Sequence, residues 1–249
     1  MAGHSKWANI KHRKARQDAA KGKTWSKCAR AIIVAARNGG GDPDTNLALR
    51  YAIDEAKAAN MPKDTIEKAV KKGSGELGGE NYEAATYEGY GPGGVAVFVE
   101  SLTDNRNRTG GEVRHIFDKH GGNLGTDGSV AFVFDRRGLI AVPKQQIDEE
   151  ALMEAALEAG ADDIADEGDY WQITTDPADF QPVREALDKA GVPIEEASLA
   201  LLPNNTVECA GDQARKVMNL IDALEDNEDV QKVYANFDIP DEEMAALEG

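Results

Sequence analysis

The chain has 249 residues, of which 41% are hydrophobic and 29% are charged, and its formal net charge at pH 7 is −17. This composition is typical of globular proteins, and a chain of this length is expected to form two or three domains. No run approaches eighteen apolar residues and the start of the chain lacks the apolar stretch of a secretory signal, so we expect neither a transmembrane helix nor export.

The charge is distributed unevenly along the chain. Residues 1–37 contain ten lysines and arginines and one acid, Asp18, so they carry +9 and the remaining residues carry −26. Residues 139–249 alone carry −22. Because the cations find almost no partner within their own segment, this asymmetry indicates an anionic partner. Nucleic acid is one such anion and the protein's own acidic part is another; a solvated helix face is the third interpretation.

Residues 1–75 are predicted to form a basic helical domain. Apolar residues recur at steps of three and four over residues 24–38, which is typical of one buried helix face, and the glycines at 39–41 end this helix. Two further helices are predicted over residues 44–60 and 62–72. Their predicted inward-facing residues are Leu47, Tyr51, Ala58, Ile66, Ala69 and Val70.

Beyond a glycine-rich linker the pattern changes to alternating strands and helices. Residues 82–137 plus 204–240 are predicted to form a ferredoxin-like α/β domain with strand–helix–strand order in each half, and residues 138–203 an α/β domain inserted into it. One larger α/β sheet is the alternative. The predicted fold class is therefore α+β: an N-terminal helical domain followed by two α/β domains, one ferredoxin-like and one inserted into it. The predicted strands are 95–102, 129–134, 139–142, 170–174, 197–202, 206–209 and 230–237, and the predicted helices are 108–120, 147–159, 177–190 and 212–226.

The basic N-terminus is the main candidate for contact with nucleic acid. A lysine or arginine that neutralises a phosphate releases condensed counterion, so such binding weakens as salt is added. Trp7, His12 and Trp25 are candidates for stacking on bases, with core packing as the alternative for Trp25. The residues predicted to bind nucleic acid are Lys6, Lys11, His12, Arg13, Lys14, Arg16, Lys21, Lys23, Lys27, Arg106 and Arg108.

Arg106 and Arg108 belong to a predicted corner between a strand and a helix, TDNRNRT at residues 103–109. An ordinary N-cap explains the polar residues that precede them. Arginines at the start of a helix, however, lie at the unfavourable end of the helix dipole. They are better explained if a phosphate or a carboxylate also approaches this helix end, where free backbone N–H groups attract anions.

Two glycine-rich segments are expected to be turns. The first, GGNLGTDGS at residues 121–129, is predicted to lead from a helix into a strand, whereas phosphate-binding loops lead from a strand into a helix. It contains neither GK[ST] nor GxGxxG, and glycine suits tight turns because it accepts positive φ. The second is EGYGPGG at residues 88–94.

No group of residues predicts catalysis or a metal site. His115 and His120 share a predicted helix but lie about 140° apart around its axis, so they cannot chelate one metal ion as an i,i+4 pair does. Cys28 and Cys209 are isolated, which argues against a disulfide framework and a zinc site and favours a reducing, cytoplasmic setting. The acidic cluster at 225–229 is expected to be a solvated helix end. We expect no enzyme activity, cofactor, metal or small-molecule substrate.

Seven segments follow one another along the chain: MAGHSKWANIKHRKARQDAAKGK, NGGGDPDTN, NMPKDTIEKA, YEGYGPGG, LTDNRNRT, GGNLGTDGSVAFVF and MEAALEAGADD. Together these segments resemble the YebC/PmpR family, and the resemblance extends over essentially the whole chain. The mitochondrial relative of this family is a translational activator of cytochrome oxidase subunit I. The resemblance implies a cytoplasmic protein of three domains, one helical and two α/β, that is not known as an enzyme.

The resemblance implies two kinds of activity. Bacterial members are described as DNA-binding transcriptional regulators, and other members associate with ribosomes and ease synthesis through proline-rich stretches. The leading hypothesis is therefore a nucleic-acid-binding regulator of transcription, and the alternative is a translation factor that binds rRNA or tRNA on the ribosome. A scaffold whose basic end binds acidic protein surfaces is a hypothesis of another class. The oligomeric state stays open.

Overall fold

The structure is a computed structural model that describes residues 21–77 and 81–240. These residues form two compact units. One is Val133–Asn205, and the other joins residues 21–132 to residues 206–240. The helices come first and the sheets follow, so the chain has the predicted α+β fold class.

Three helices begin the described chain: α1 (Lys21–Gly39), α2 (Leu47–Ala58) and α3 (Lys63–Gly73). α1 packs against both of the others. The predicted face of α1 is confirmed, since it contributes buried residues to a common core. Trp25 lies partly buried against this core and its Nε1 donates to the carbonyl oxygen of Ala59 at 3.0 Å, so core packing is the observed role of this ring. The core residues of the three helices are Cys28, Ile32, Ile33, Ala36, Leu49, Ala52, Ala56, Ile66 and Ala69.

The predicted inward face of α2 is wrong at two of its three residues, and the third, Tyr51, is half-buried. Leu47 is 47% exposed and Ala58 is exposed, whereas Ala52 and Ala56 are buried together with Leu49. Two of the three buried residues of this helix are therefore alanines, which the sequence pattern underrates because they are only weakly apolar. Small side chains allow α2 to approach α1 closely. On α3, the predicted Ile66 and Ala69 are buried.

The end of α1 and the start of α2 are joined through Asn46. This buried amide accepts a hydrogen bond from the N–H of Leu49, capping α2, and its Nδ2 donates to the carbonyl oxygens of Ala35 and Gly40, each at 2.8 Å. A side chain at Gly39 would occupy the same space, because its Cβ would lie 2.6 Å from the Asn46 Nδ2. The glycines after α1 therefore both end the helix and make room for the cap of the next one.

The α/β part of the larger unit contains a four-stranded antiparallel sheet in the order β3-β1-β2-β9. The helices α4 and α7 contact one another beside it. A short parallel pair, β8 with β10, lies where the chain re-enters this unit. The elements are β1 (Glu83–Tyr90), β2 (Ala96–Thr103), α4 (Arg106–Lys119), β3 (Asn123–Leu124), β8 (Val207–Glu208), α7 (Gly211–Glu225), β9 (Val230–Ala235) and β10 (Phe237–Asp238).

Two of the predicted features in this part are wrong. The sheet begins with a β1–β2 hairpin, with Glu83 opposite Thr103, and not with a strand–helix–strand unit. Of the segment 88–94 that was predicted to be a turn, residues 88–90 belong to β1, and Pro92–Gly94 form the 3-10 turn that joins the two strands. The strand predicted over 129–134 does not form: Ala131–Val133 is a 3-10 turn, and the next strand starts at Phe134. Position 89 of β1 requires glycine, because a Cβ there would come within 2.6 Å of the Asn123 carbonyl oxygen on the neighbouring strand β3.

The unit Val133–Asn205 contains a second four-stranded antiparallel sheet, in the order β5-β6-β4-β7. The two sheets are separate, so the alternative of one larger sheet is not what the chain forms. Helices α5 and α6 contact one another, and α6 also contacts β4. The elements are β4 (Phe134–Pro143), α5 (Glu149–Ala159), β5 (Asp163–Glu167), β6 (Tyr170–Thr175), α6 (Phe180–Lys189) and β7 (Glu196–Pro203). No helix in the described ranges is long and apolar enough to cross a membrane.

The close approach of α1 and α3 depends on Gly73. A Cβ at this position would lie 2.4 Å from the carbonyl oxygen of Ile33 and 2.7 Å from the Cβ of Ala36. We expect Gly73→Ala to lower the free energy of unfolding by about 2 kcal/mol, because backbone must move to admit the methyl group. Urea denaturation measures this change. The control Lys68→Ala, at an exposed position of α3, should change the free energy by less than about 0.5 kcal/mol, and equal stability of Gly73→Ala and wild type would contradict the packing argument.

Candidate nucleic-acid interface

The basic side of α1 faces a segment of the protein's own acidic part, residues 225–229, which we call the acidic turn. Lys23 Nζ lies 3.4 Å from a carboxylate oxygen of Asp226, an exposed ion pair. Lys27 Nζ donates to the backbone carbonyl of Glu225 at 2.6 Å. Lys23 and Lys27 were both predicted to bind nucleic acid. In the structure they contact residues at the end of α7, so part of the positive charge of α1 is compensated within the protein.

Asp229, at the end of the acidic turn, is a buried carboxylate with four partners. Arg30 of α1 donates to Oδ1 at 2.8 Å, and Arg108 of α4 donates to Oδ2 at 2.7 Å. The hydroxyls of Thr109 and Thr103 lie 2.7 and 3.3 Å from the same Oδ2. A buried charge is tolerated only when it is paired and hydrogen-bonded, and this carboxylate is both. The acidic cluster is therefore not simply the solvated helix end that its composition predicts.

The surroundings of Asp229 set its pKa. Burial acts to raise the pKa of the carboxyl, but the hydrogen bonds from Thr109 and Arg108 and the charges of Arg108 and Arg30 outweigh burial, so the pKa lies below its ordinary value. The group thus contributes stability at pH values above the pKa of the unfolded chain, near 4, and loses it as the pH falls through the folded pKa.

The two arginines predicted at the start of α4, Arg106 and Arg108, have different surroundings. Asn105 caps α4 by accepting from the N–H of Arg108 at 3.1 Å. The Arg108 guanidinium donates to Asp104 as well as to Asp229, and these two carboxylates raise its pKa. The anion expected at this helix end is thus a carboxylate of the same chain. Arg106 is exposed and makes no ion pair with any described residue.

The glycine-rich loop after α4 is closed by Glu88 of β1. The two carboxylate oxygens of this buried side chain accept hydrogen bonds from the N–H groups of Gly128, Val130 and Ala131 at 2.7 to 2.8 Å. Gly121 and Gly128 have φ values of 76° and 83°, which confirms the expected tight turns. The backbone donors that a phosphate-binding loop would offer are therefore occupied by a carboxylate of the same chain.

Glu88 resembles Asp229 in its electrostatics. Burial acts to raise the pKa of the carboxyl, and the three backbone hydrogen bonds more than compensate, so the pKa is lowered. Its contribution to stability is present above the pKa of the unfolded chain and decreases as the pH falls through the folded pKa. In residues 21–77 and 81–240, no three His, Cys, Asp or Glu side chains are grouped in a way that could hold a metal ion.

The other residues predicted to contact nucleic acid lie at or before the start of α1. Lys21 belongs to the first turn of α1, and the structure does not describe its side chain. Six further predicted residues and Trp7 lie outside the described residues. The six are Lys6, Lys11, His12, Arg13, Lys14 and Arg16.

Three residues that organise this region were missed by sequence reasoning: Arg30, Glu88 and Asp229. Arg30 had a usable signal, because Lys23, Lys27 and Arg30 follow one another at steps of four and three and so share a helix face. The two carboxylates had none, since neither the charge of a residue nor its spacing reveals partners over 40 residues away.

The fold defines a protein of mixed helix and sheet domains, with three N-terminal helices and two separate antiparallel sheets. Its N-terminal segment is basic. Residues 5–76 match the model of the TACO1/YebC protein N-terminal domain, and residues 82–237 match that of the TACO1/YebC second and third domain. The chain belongs to the TACO1/YebC family, which confirms the resemblance seen in the sequence.

Relatives of similar length share more than half of the sequence. A probable transcriptional regulatory protein of Natranaerobius thermophilus is 57% identical over 98% of this chain and 99% of its own. One of Rubrobacter xylanophilus is 55% identical over the full length of both chains. The crystal structure of the conserved hypothetical protein Aq1575 from Aquifex aeolicus is similar with a TM-score of 0.82 and 52% identity, over 90% of this chain and 93% of that one. The printed names of the first two relatives support a regulatory role for the family.

Removing the charge of Asp229 should destabilise the larger unit. We expect Asp229→Asn to lower the free energy of unfolding at pH 7 by about 3 kcal/mol, because Arg30 and Arg108 would both lose the buried carboxylate that joins them. The loss should shrink as the pH falls through the folded pKa of Asp229, since the wild-type carboxyl also becomes neutral there. Chemical denaturation at a series of pH values measures both.

The matched control for Asp229 is Asp226→Asn, in the same acidic turn. The Asp226 side chain is 72% exposed, so its loss should change the free energy by less than about 1 kcal/mol. Equal effects of the two substitutions, or an Asp229→Asn effect that does not depend on pH, would contradict the role given to the buried carboxylate.

Glu88→Gln should loosen the loop that follows α4. The NH₂ group of the new amide would replace one of the two acceptor oxygens and would point at backbone N–H groups. We therefore expect the free energy of unfolding to fall by about 2 kcal/mol and hydrogen exchange at Gly128, Val130 and Ala131 to become faster. Exchange followed by NMR measures the second effect residue by residue. Glu83→Gln, at the exposed start of the same strand, is the control, and unchanged protection of all three amides in Glu88→Gln would refute the closure.

Proposed function

We propose that the protein is a cytoplasmic, non-enzymatic regulator of transcription that binds DNA through the phosphates. The observation that carries the proposal is the +9 charge of residues 1–37 in a chain whose net charge is −17. The names of the relatives, probable transcriptional regulatory proteins, support the same role. A cationic segment attached to an anionic body favours a polyanion at one end only.

The internal contacts of α1 narrow the set of phosphate-binding residues. Lys23 and Lys27 contact the acidic turn, and Arg108 contacts Asp229. In the proposal, phosphate contact therefore belongs to the basic residues ahead of these, together with Arg106. The set is Lys6, Lys11, His12, Arg13, Lys14, Arg16 and Lys21.

The proposed binding relies on the backbone of the nucleic acid more than on its bases. Base-specific readers of the helix-turn-helix type place a second helix in the major groove while the first packs across it. Here α1 is the central helix, and α2 and α3 each pack mainly on α1. Affinity that comes from phosphates has little sequence preference and falls steeply with salt.

The basic segment, together with the packing of α2 and α3 on α1, also favours a second candidate function, a translation factor on the ribosome. RNA recognition by shape and phosphate contact needs no recognition helix in a major groove. In this alternative the basic segment binds rRNA or tRNA, and the −22 charge of residues 139–249 is repelled by it. The protein would then assist the synthesis of proline-rich stretches, as the family resemblance implies.

Salt titration of DNA binding tests the phosphate contacts. We expect the logarithm of the binding constant to fall linearly with the logarithm of salt concentration, with a slope of about 0.9 for each phosphate neutralised. Replacing Lys6, Lys11, Arg13, Lys14 and Arg16 by glutamine should remove most of this slope. Gel shift or fluorescence anisotropy between about 50 and 200 mM salt covers the useful range.

The control for this experiment is the double variant Lys23→Gln, Lys27→Gln. It removes two lysines whose side chains contact the acidic turn, so it should change DNA affinity much less than the five-fold replacement does. Binding that keeps its strength across the salt range would contradict the proposal. Sedimentation of lysate through sucrose separates the two functions: co-migration with ribosomes that resists DNase but not RNase would favour translation.

A further inference from the structure

The outer surface of α4 carries two parallel rows of side chains, each with a glycine in the middle. Residues four apart lie one turn from each other on the same face of a helix. One row is Arg106, Gly110 and Arg114, and the other is Asn107, Gly111 and His115. We call these six residues the α4 saddle. Its centre is bare backbone, and its four corners carry side chains that donate hydrogen bonds.

The glycines of the saddle are not required by the fold. A Cβ at Gly111 would meet no atom within 4 Å, and one at Gly110 would make an ordinary contact of 3.6 Å with the Tyr87 ring. Neither glycine has a positive φ. By contrast, a Cβ at Gly89 would collide with the chain. Glycine inside a helix is destabilising relative to alanine, so the saddle weakens α4 with no packing gain within the described chain.

The charges at the rim of the saddle are available. Arg106, Asn107, Arg114 and His115 are all exposed. Neither arginine makes an ion pair within the described residues, unlike Arg108, which is held by Asp104 and Asp229 on the neighbouring side of the helix. The two free arginines are eight residues apart, about 12 Å along the helix axis. Asp118 lies one turn beyond, at the end of the rows.

We propose that the α4 saddle is a second DNA contact, which seats the sugar–phosphate backbone of duplex DNA against the bare helix between Arg106 and Arg114. The inference rests on the proposed DNA binding and adds a surface to it. Two unpaired cations fit a polyanion, and the missing side chains let its backbone approach closely. None of the six residues is aromatic apart from the imidazole of His115, so the saddle favours phosphate contact with a duplex over stacking on unpaired bases.

The test fills the saddle and removes one corner in the full-length protein. Gly111→Gln places a good helix former in open space, so it should raise the melting temperature and yet weaken binding to a duplex DNA probe by about tenfold. Arg114→Gln should reduce the salt slope by about one. The matched control is Lys119→Gln, which removes an exposed cation from the last turn of α4, outside the saddle, and should leave the affinity near that of wild type.

Opposite changes of stability and affinity in Gly111→Gln would support the saddle, because a purely structural glycine cannot produce them. If wild type binds duplex DNA and both Gly111→Gln and Arg114→Gln bind it equally well, the saddle is refuted and the proposed function stands. If wild type binds no duplex DNA at low salt, both fail together. If Gly111→Gln and Arg114→Gln weaken binding to RNA but leave binding to duplex DNA unchanged, the saddle is also overturned as a DNA contact.

Discussion

The buried carboxylate of Asp229 joins segments that are far apart in the sequence. Through Arg30 it holds α1, through Arg108 and Thr109 the first turn of α4, and through Thr103 the end of β2. The N-terminal helices and the first sheet therefore share one desolvated charge. Because such a charge is stable only with all of its partners in place, the helices and the sheet are expected to lose their contacts together.

This arrangement changes the meaning of the charge asymmetry. The excess of cations in residues 1–37 predicts an anionic partner, and for Lys23, Lys27 and Arg30 the structure shows that partner to be the acidic turn of the same chain. In the proposed function, the phosphate contacts of the basic segment are therefore assigned to the cations that precede α1 in the sequence. A count of charges cannot make this division, because it does not tell which side of a helix meets another part of the fold.

The elements that could be predicted from sequence are those set by local pattern. α1, α3, α4 and α7 follow from their apolar spacing, and their observed ends lie within a few residues of the predicted ones. The failures occur where a distant residue decides the local structure. Residues 129–134 have the composition of a strand, but Glu88, over 40 residues earlier, binds the N–H groups of Val130 and Ala131 and prevents their use in a sheet. Gly89 suggests a turn in the sequence, but in the structure it lies in β1, where the missing side chain allows the backbone at Asn123 to approach closely.

Glu88 and Asp229 also limit where a nucleic acid can bind the described part of the protein. Each carboxylate occupies donors that would otherwise suit a phosphate: three loop N–H groups in one case, and two guanidinium groups in the other. Since charges separated by more than about 10 Å are largely screened at 0.1 M salt, the strongly acidic remainder does not forbid binding, and local cations decide the place. At lower salt the screening length grows, so the acidic residues 139–249 repel a polyanion over a longer range. In the proposed DNA binding, the cations left free by the internal pairs therefore supply the affinity.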